Sequence, residues 1–320
     1  MLKTAISNLF GIRYPVIQGG MAHLATAELA SAVSNAGGLG FLAAANYDAV
    51  WLRQQIQFVR QSTHQPFGVN LYLPSPLIKE QIQVILEEKV PVVATGAGNP
   101  GPYLQLFKES GLKVMVVVGN VQSARNAESS GADAVVAEGM EAGGHIGKIA
   151  TLALVPQIVD AVRIPVLAAG GIADGRGLVA ALALGAQGVQ MGTRFICSEE
   201  CPAHISFKLA ILAAGDMDTV VIDESTATPS RVLVNQFTRD YAELKKSGAT
   251  DGELAFFAKG RFKAGMIEGN IAEGALLAGQ NSGLIKGIKP VKVIIKDIIE
   301  EAESLLAKLC RQTQLEESNA

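Results

Sequence analysis

The chain has little that is aromatic: Phe, Trp and Tyr make up 5% of its 320 residues, with a single Trp. Its core must therefore come from Ala, Val, Ile and Leu, which dominate a hydrophobic fraction of 49%. Cysteine is equally scarce, at Cys197, Cys201 and Cys310. An odd number without disulfide-like spacing argues against a stapled secreted scaffold and fits a reducing compartment. Cys197 and Cys201 lack the second pair that a tetrahedral site needs, so no metal is expected. Basic charge is not in excess either: the net charge is −3. With no basic patch, nucleic acid is excluded as an expected partner. Long apolar runs are missing too. MLKTAISNLFGIRYP has no unbroken signal core. VKVIIKDIIEEAESLLAKL carries charges throughout, with Ile294, Ile295, Ile298, Ile299, Ala302, Leu305 and Leu306 at helical spacing. That is an amphipathic helix and not a membrane span, so no membrane partner is expected and the location expected is cytoplasmic.

What the chain does have is glycine, 34 residues of it, and a length ample for a large core. Short apolar runs recur: YPVIQ (14–18), LGFLAA (39–44), PFGVNLYL (66–73), VPVVAT (90–95), KVMVVV (113–118), DAVVAE (133–138), IPVLAAG (164–170) and QGVQMG (187–192). Each has the length of a strand and its share of β-branched residues. Between them lie segments of helical periodicity that end in Gly, such as TAELASAVSNAG and GRGLVAALALG. Strands alternating with helices predict a parallel sheet. Eight units predict an α/β fold of the closed (β/α)8 TIM-barrel type; an open doubly wound sheet is the alternative. The alternation stops after about residue 215. Residues of about 216–289 read as a small helical domain over the C-terminal mouth, carrying the substrate side of the site. About 290–312 read as a final helix that returns to the barrel formed by 1–215, and 313–320 as a flexible tail.

In such barrels function gathers at the C-terminal ends of the strands. Strands seven and eight end in Gly170-Gly171 and Gly192-Thr193. Glycines there let backbone N–H groups approach an anion, and the Thr193 hydroxyl adds a donor, so a phosphate site is expected. The other rim loops, GGM, TGAG and GMEAGG, are flat and backbone-rich. They suit a large planar group with a phosphate tail, which a flavin mononucleotide supplies. Asn70, near the end of strand three, is placed to bond the polar edge of that ring. The loop after strand six, EGMEAGGHIGK, carries His145 behind Gly143 and Gly144. Imidazole exchanges protons near neutral pH, so His145 is the catalytic candidate. Glu138 ends the strand, and Glu141 either orients His145 or pairs with Lys148. His23, after GGM, is a further candidate for the pocket wall. His64 and His204 read as solvated.

The segments QGGM (18–21), NAGGLG (35–40), PFGVN (66–70), TGAGNP (95–100), AEGMEAGGHIGK (137–148), PVLAAGGIADGRG (165–177) and VQMGTRF (189–195) resemble the superfamily of nitronate monooxygenases and enoyl-acyl-carrier-protein reductases II, which are FMN-dependent barrels. TGAGNP, HIGK and AGQNSGLI (278–285) are similar to the reductase (FabK-type) branch, although Leu277 stands where that branch often has Met before AGQ. The resemblance implies FMN contacts at Gly20, Met21, Asn70, Glu138, Gly143, Gly171, Gln190, Gly192 and Thr193, with His145 catalytic. It implies reduction of an enoyl chain carried on acyl-carrier protein, with NADH or NADPH as reductant and FMN as cofactor, as in fatty acid synthesis. Oxidation of alkyl nitronates with O2 is the alternative, and a non-catalytic phosphate-ligand barrel a weaker one. A cysteine-nucleophile dehydrogenase is excluded, because the loop after strand six has no Cys. A homodimer is compatible with the sequence.

Overall fold

The computed structural model describes residues 2–223 and 229–317, so Met1, 224–228 and 318–320 lie outside it. Each of the eight apolar runs contains a strand: Val16–Gln18, Gly40–Ala43, Phe67–Tyr72, Val92–Gly96, Lys113–Val118, Ala134–Glu138, Val166–Ala169 and Val189–Met191. From the second to the eighth, each strand pairs in parallel with the next. The first pairs with the eighth, Val16 opposite Val189. It also bridges the second, where the Gln18 N–H donates to the Leu39 carbonyl at 3.0 Å. The sheet is therefore closed, a (β/α)8 barrel and not the open alternative.

Side chains alternate across this wall with period two and fill two separate cores. Ile17, Phe41, Val92, Ala94, Met115, Ala134, Val136, Leu167 and Ala169 point into the barrel. Val16, Leu42, Val93, Val114, Val135, Val166 and Ala168 point out against the helices. The short helix Ala5–Phe10, N-capped by Thr4, adds Ile6 and Phe10 to the inner core. Thr4 Oγ1 donates to the Gln187 carbonyl at 2.5 Å, just before the eighth strand, so the helix plugs the N-terminal end. The same alternation carried upward aims Asn70, Glu138 and Gln190 into the mouth.

The last helix, Val291–Glu317, packs on the helices Gly175–Ala183 and Ala27–Asn35. The approach is close: a Cβ at Gly175 would lie 2.5 Å from the Ala302 nitrogen. This helix continues through 313–317, part of the expected flexible tail, because Gln, Leu and Glu propagate a helix and no Gly or Pro intervenes. The rest of that tail, 318–320, lies outside the described residues.

The described residues of 216–289 reach the mouth through Ser230, Phe262, Met266, Leu277 and Asn281, and they are only partly helical. The helices Gln236–Lys246, Asp251–Ala258 and Arg261–Met266 are there. Ahead of them Thr219–Ile222 and Ser230–Leu233 form an antiparallel pair, to which Gly144–His145 adds a third strand. The helix Gln236–Lys246 starts after VLVN and not within it. Asn235 is its N-cap, in a capping box with Thr238, and the β-branched residues before it belong to the sheet. Ile222, Val232, Phe237, Tyr241, Leu254 and Ala275 give this part a core of its own.

Candidate functional site

A cavity of about 460 Å³ opens at the C-terminal mouth. Gly20, Met21, Asn70, Glu138, Gly143, His145, Gly170, Gly171, Gln190, Gly192 and Thr193 all border it. His23 and Asn46 close one side, and Tyr72 stands beside His145 on another.

The histidine loop is fixed from two directions. His145 pairs with Ser230 and Gly144 with Arg231 in the cap sheet. Arg231, 4% exposed, donates from Nε to the Met140 carbonyl at 3.0 Å and from Nη1 to Thr219 Oγ1 at 3.1 Å. Glu141 bonds neither His145 nor Lys148. It accepts from the Thr151 N–H at 2.9 Å and from the Thr151 hydroxyl at 2.8 Å, capping the helix Thr151–Val159. A carboxylate at a helix N-terminus meets free N–H donors and the positive end of the dipole, which outweighs an exposed pairing with Lys148.

Ala278–Asn281 ties the next loops together. The Gln280 N–H donates to the Glu141 carbonyl at 2.9 Å, after strand six. Asn281 Nδ2 donates to the Ile172 carbonyl at 2.7 Å, after strand seven. The Gly279 N–H donates to Thr193 Oγ1 at 3.0 Å, after strand eight. Thr193 thus accepts from the cap and keeps its own proton to donate into the cavity. Gly143 is glycine because the cap backbone crosses it: a Cβ would come within 2.6 Å of the Ala278 carbonyl carbon.

Glycines on the phosphate side differ in kind. Gly170 and Gly171 have φ of 95° and 75°, so a side chain there is strained whatever the space. At Gly192 a Cβ would meet only Met21, at 3.6 Å, so the protein leaves room that a ligand can use. On the floor, the side chains of Asn70, Glu138 and Gln190 have no hydrogen-bond partner among the described residues, although all three stand in a confined mouth. Buried polar groups ordinarily find partners. The pyrimidine edge of a flavin, with one N–H and several acceptors, fits two carboxamides and a carboxyl. Its phosphate fits the N–H groups of Gly170–Gly171 and Gly192–Thr193. The residues present fit FMN.

Burial pushes the Glu138 carboxyl up to about 7. Burial among the cavity walls lowers His145, with Asp223 opposing, so the imidazole is mainly neutral at pH 7. Its ring lies near-parallel to that of Tyr72, centroids 6.4 Å apart. The sequence reading passed over Tyr72, yet the signal was present: it lies two residues beyond Asn70 and so faces the same way. His23 is also held at the mouth, at φ 64°, with Nδ1 3.3 Å from the Tyr47 hydroxyl and Nε2 3.2 Å from Asn46 Nδ2. Burial lowers it first, the charge of Lys263 second. His204 is not simply solvated: it N-caps the helix Ile205–Ala213 by accepting from the Ser206 N–H at 3.2 Å. Cys197 and Cys201 are buried, their thiols pushed up to about 12 and about 11 by burial. They stay protonated packing groups. No described helix is long and apolar enough to cross a membrane.

A closed barrel with a glycine-lined anion cradle, a floor of unpaired polar side chains and a fixed imidazole defines a cofactor-binding barrel. The comparisons with known proteins narrow it. The nitronate monooxygenase family model matches residues 3–81 and 77–301, and the chain belongs to that family. The solved structure of FabK from Thermotoga maritima is similar over 98% of this chain and 100% of that one, with TM-score 0.95 and 45% identity. A nitroalkane oxidase from Streptomyces ansochromogenes has TM-score 0.86 and 30% identity, over 96% of this chain and 100% of that one. A probable nitronate monooxygenase of Staphylococcus saprophyticus is 34% identical, over 95% of this chain and 99% of that protein.

Glu138 makes stability depend on pH. Its folded pKa of about 7 lies above the ordinary carboxylate value, so the folded chain holds a proton that the unfolded chain releases. The stability contributed by that proton is present in acid and is lost as pH rises through about 7. In FMN-free protein Glu138→Gln should raise the melting temperature at pH 8 and leave it nearly unchanged at pH 4. An equal change at both values would mean that the carboxyl is not held in this way.

Proposed function

We propose that this chain is an FMN-dependent oxidoreductase that reduces the double bond of a trans-2-enoyl thioester, carried on acyl-carrier protein, with NADH or NADPH as reductant. The observation that carries the reading is the pair His145 and Tyr72, which stand together over the cavity beside Glu138. A neutral imidazole N–H and a phenol are two donors bordering one cavity, which suits an oxygen that gains negative charge. The 45% identity to FabK over nearly the whole chain supports the same reading.

FMN, when bound, carries hydride from the nicotinamide to the β-carbon of the substrate. The residues of the chain do the rest. Asn70 and Gln190 orient the ring edge from the floor, and the two glycine turns with Thr193 hold the phosphate. His145 and Tyr72 donate to the thioester carbonyl oxygen, where charge accumulates as the β-carbon is reduced. The lowered pKa of His145 leaves the imidazole mainly neutral at pH 7, which suits the polarising role. Glu138, raised by burial, completes the floor at the ring edge, and the proton that the α-carbon takes up comes from solvent. The cap, fixed by Ala278–Asn281, walls one side of the mouth.

One observation favours a second reading. A neutral His145 is also ready to accept a proton from a nitroalkane, and the family is that of the nitronate monooxygenases.

FMN-loaded protein mixed anaerobically with NADH and then with a crotonyl thioester should be reduced and reoxidised in turn. Oxygen uptake with alkyl nitronates in the absence of NADH, and no reoxidation by the thioester, would reverse the assignment. His145→Ala should keep FMN and its reduction by NADH while slowing the thioester step by about a hundredfold, the scale of a lost acid–base or polarising group.

Gly192 tests the cradle separately. Its φ of −110° is open to any residue, and a Cβ clashes with nothing. Gly192→Val should therefore fold and melt like the parent protein yet release FMN. Full FMN occupancy would place the phosphate elsewhere.

A further inference from the structure

A second cavity, of about 480 Å³, opens beside the first. The two share Tyr72, Ala97, Val117, Glu138 and His145, so the proposed reacting wall is also the partition between them. From that partition the second cavity runs outward between the loop 97–100 and the helix Val121–Ser129. Among the described residues its outer lining is neutral, with no Lys, Arg or Asp, and the one acid is Glu138 at the inner end. A diphosphate placed there would have no cation to meet. Apolar surface comes from Val118, Ala127 and Ile146. Three donors lie along it with no hydrogen-bond acceptor among the described residues. Asn99 uses its Oδ1 to accept from the Gly101 N–H at 3.0 Å, which leaves Nδ2 unpaired. Asn126 uses its Oδ1 to accept from Gln122 at 2.9 Å, which again leaves Nδ2 unpaired. The Ser123 hydroxyl makes no bond among the described residues.

An uncharged groove with an apolar floor and spaced donors fits a chain that alternates methylenes with amide carbonyls. Resting on the enoyl-thioester reading above, we propose that this groove holds the pantetheine arm of the substrate. The thioester then lies at Tyr72 and His145, and the arm leaves past Ser123 and Asn126 toward whatever carries it. The groove reads only the arm, which acyl-carrier protein and coenzyme A have in common. No bond is made or broken in it.

The test uses FMN-loaded full-length protein with NADH and one crotonyl group on four carriers: N-acetylcysteamine, pantetheine, coenzyme A and acyl-carrier protein. Asn126→Trp fills the groove from an exposed helix position, and Ser123→Ala with Asn126→Ala removes two donors. Both variants should raise KM about tenfold for the three carriers with the arm, roughly the loss of one or two hydrogen bonds or of the space for them. KM for the N-acetylcysteamine ester, kcat at saturation and KM for NADH should stay within about twofold, since nothing at the partition has changed. Calorimetric titration with butyryl-pantetheine, which cannot react, should show the same loss of affinity. Equal effects on all four esters would overturn the proposal. A rise in KM for NADH instead would put the dinucleotide in the groove. A defect confined to one carrier would place the contact on that carrier's body. If the parent protein turns over none of the esters, the enoyl-thioester reading fails and the groove's occupant with it. Turnover by the parent with indifferent variants overturns the groove alone.

Discussion

Four consecutive residues of the cap, Ala278 to Asn281, set the geometry on which the mouth depends. Their backbone and side chains reach the loops after strands six, seven and eight in turn, through Glu141, Ile172 and Thr193. Loops at the end of a barrel are otherwise independent, each answerable only to its own strand and helix. Bonding three of them to one segment makes the anion cradle and the histidine loop a single object. The cost appears in the sequence as glycine: Gly143 has no side chain because Ala278 and Gly279 cross it, and a Cβ at Gly279 would lie 2.6 Å from the Glu141 carbonyl oxygen. A motif that lies far along the chain from the loops it serves is thus part of their architecture.

The glycines of the rim read alike in sequence but answer to different forces. Gly171 is required by its backbone angle, Gly143 by the neighbouring chain, and Gly192 by neither. Only the last kind is evidence for a ligand, since nothing in the protein itself forbids a side chain there. The expectation of a phosphate between strands seven and eight therefore rests most firmly on Gly192 and the adjoining Thr193 hydroxyl. The double glycine, the more visible feature, is the weaker argument.

Much of the fold was legible because it is local. Eight β-branched runs with helical segments between them state a parallel barrel, and the alternation of Val136 with Ala137 and Glu138 already says which side chains face the mouth. Asn70, Glu138 and Gln190 could be placed by counting in twos, and Tyr72 should have been by the same count. What could not be read was non-local. Gly144–His145 is too short to announce itself as a strand, and its partner begins at Ser230. Thr219–Ile222 and Ser230–Leu233 are four residues each and run up against helical sequence. The role of Glu141 depended on where Thr151 begins its helix, which neither charge nor spacing reveals.

The two ionisable groups of the reacting wall are displaced in opposite senses by one cause. Desolvation disfavours charge on both, so it raises the Glu138 carboxyl and lowers the His145 imidazole. An open rim would leave a carboxylate and a largely neutral imidazole at pH 7, with no proton in reserve. The closed one keeps a share of Glu138 protonated while His145 stays neutral, so the wall holds a proton without holding net positive charge. Both a thioester oxygen that gains charge and a nitroalkane that gives up a proton can use such a wall, the first as an acceptor from the neutral imidazole N–H and the second as a donor to its free nitrogen. The confinement that sets the two pKa values thus fixes where protons sit at pH 7 and leaves the choice of substrate to the rest of the mouth.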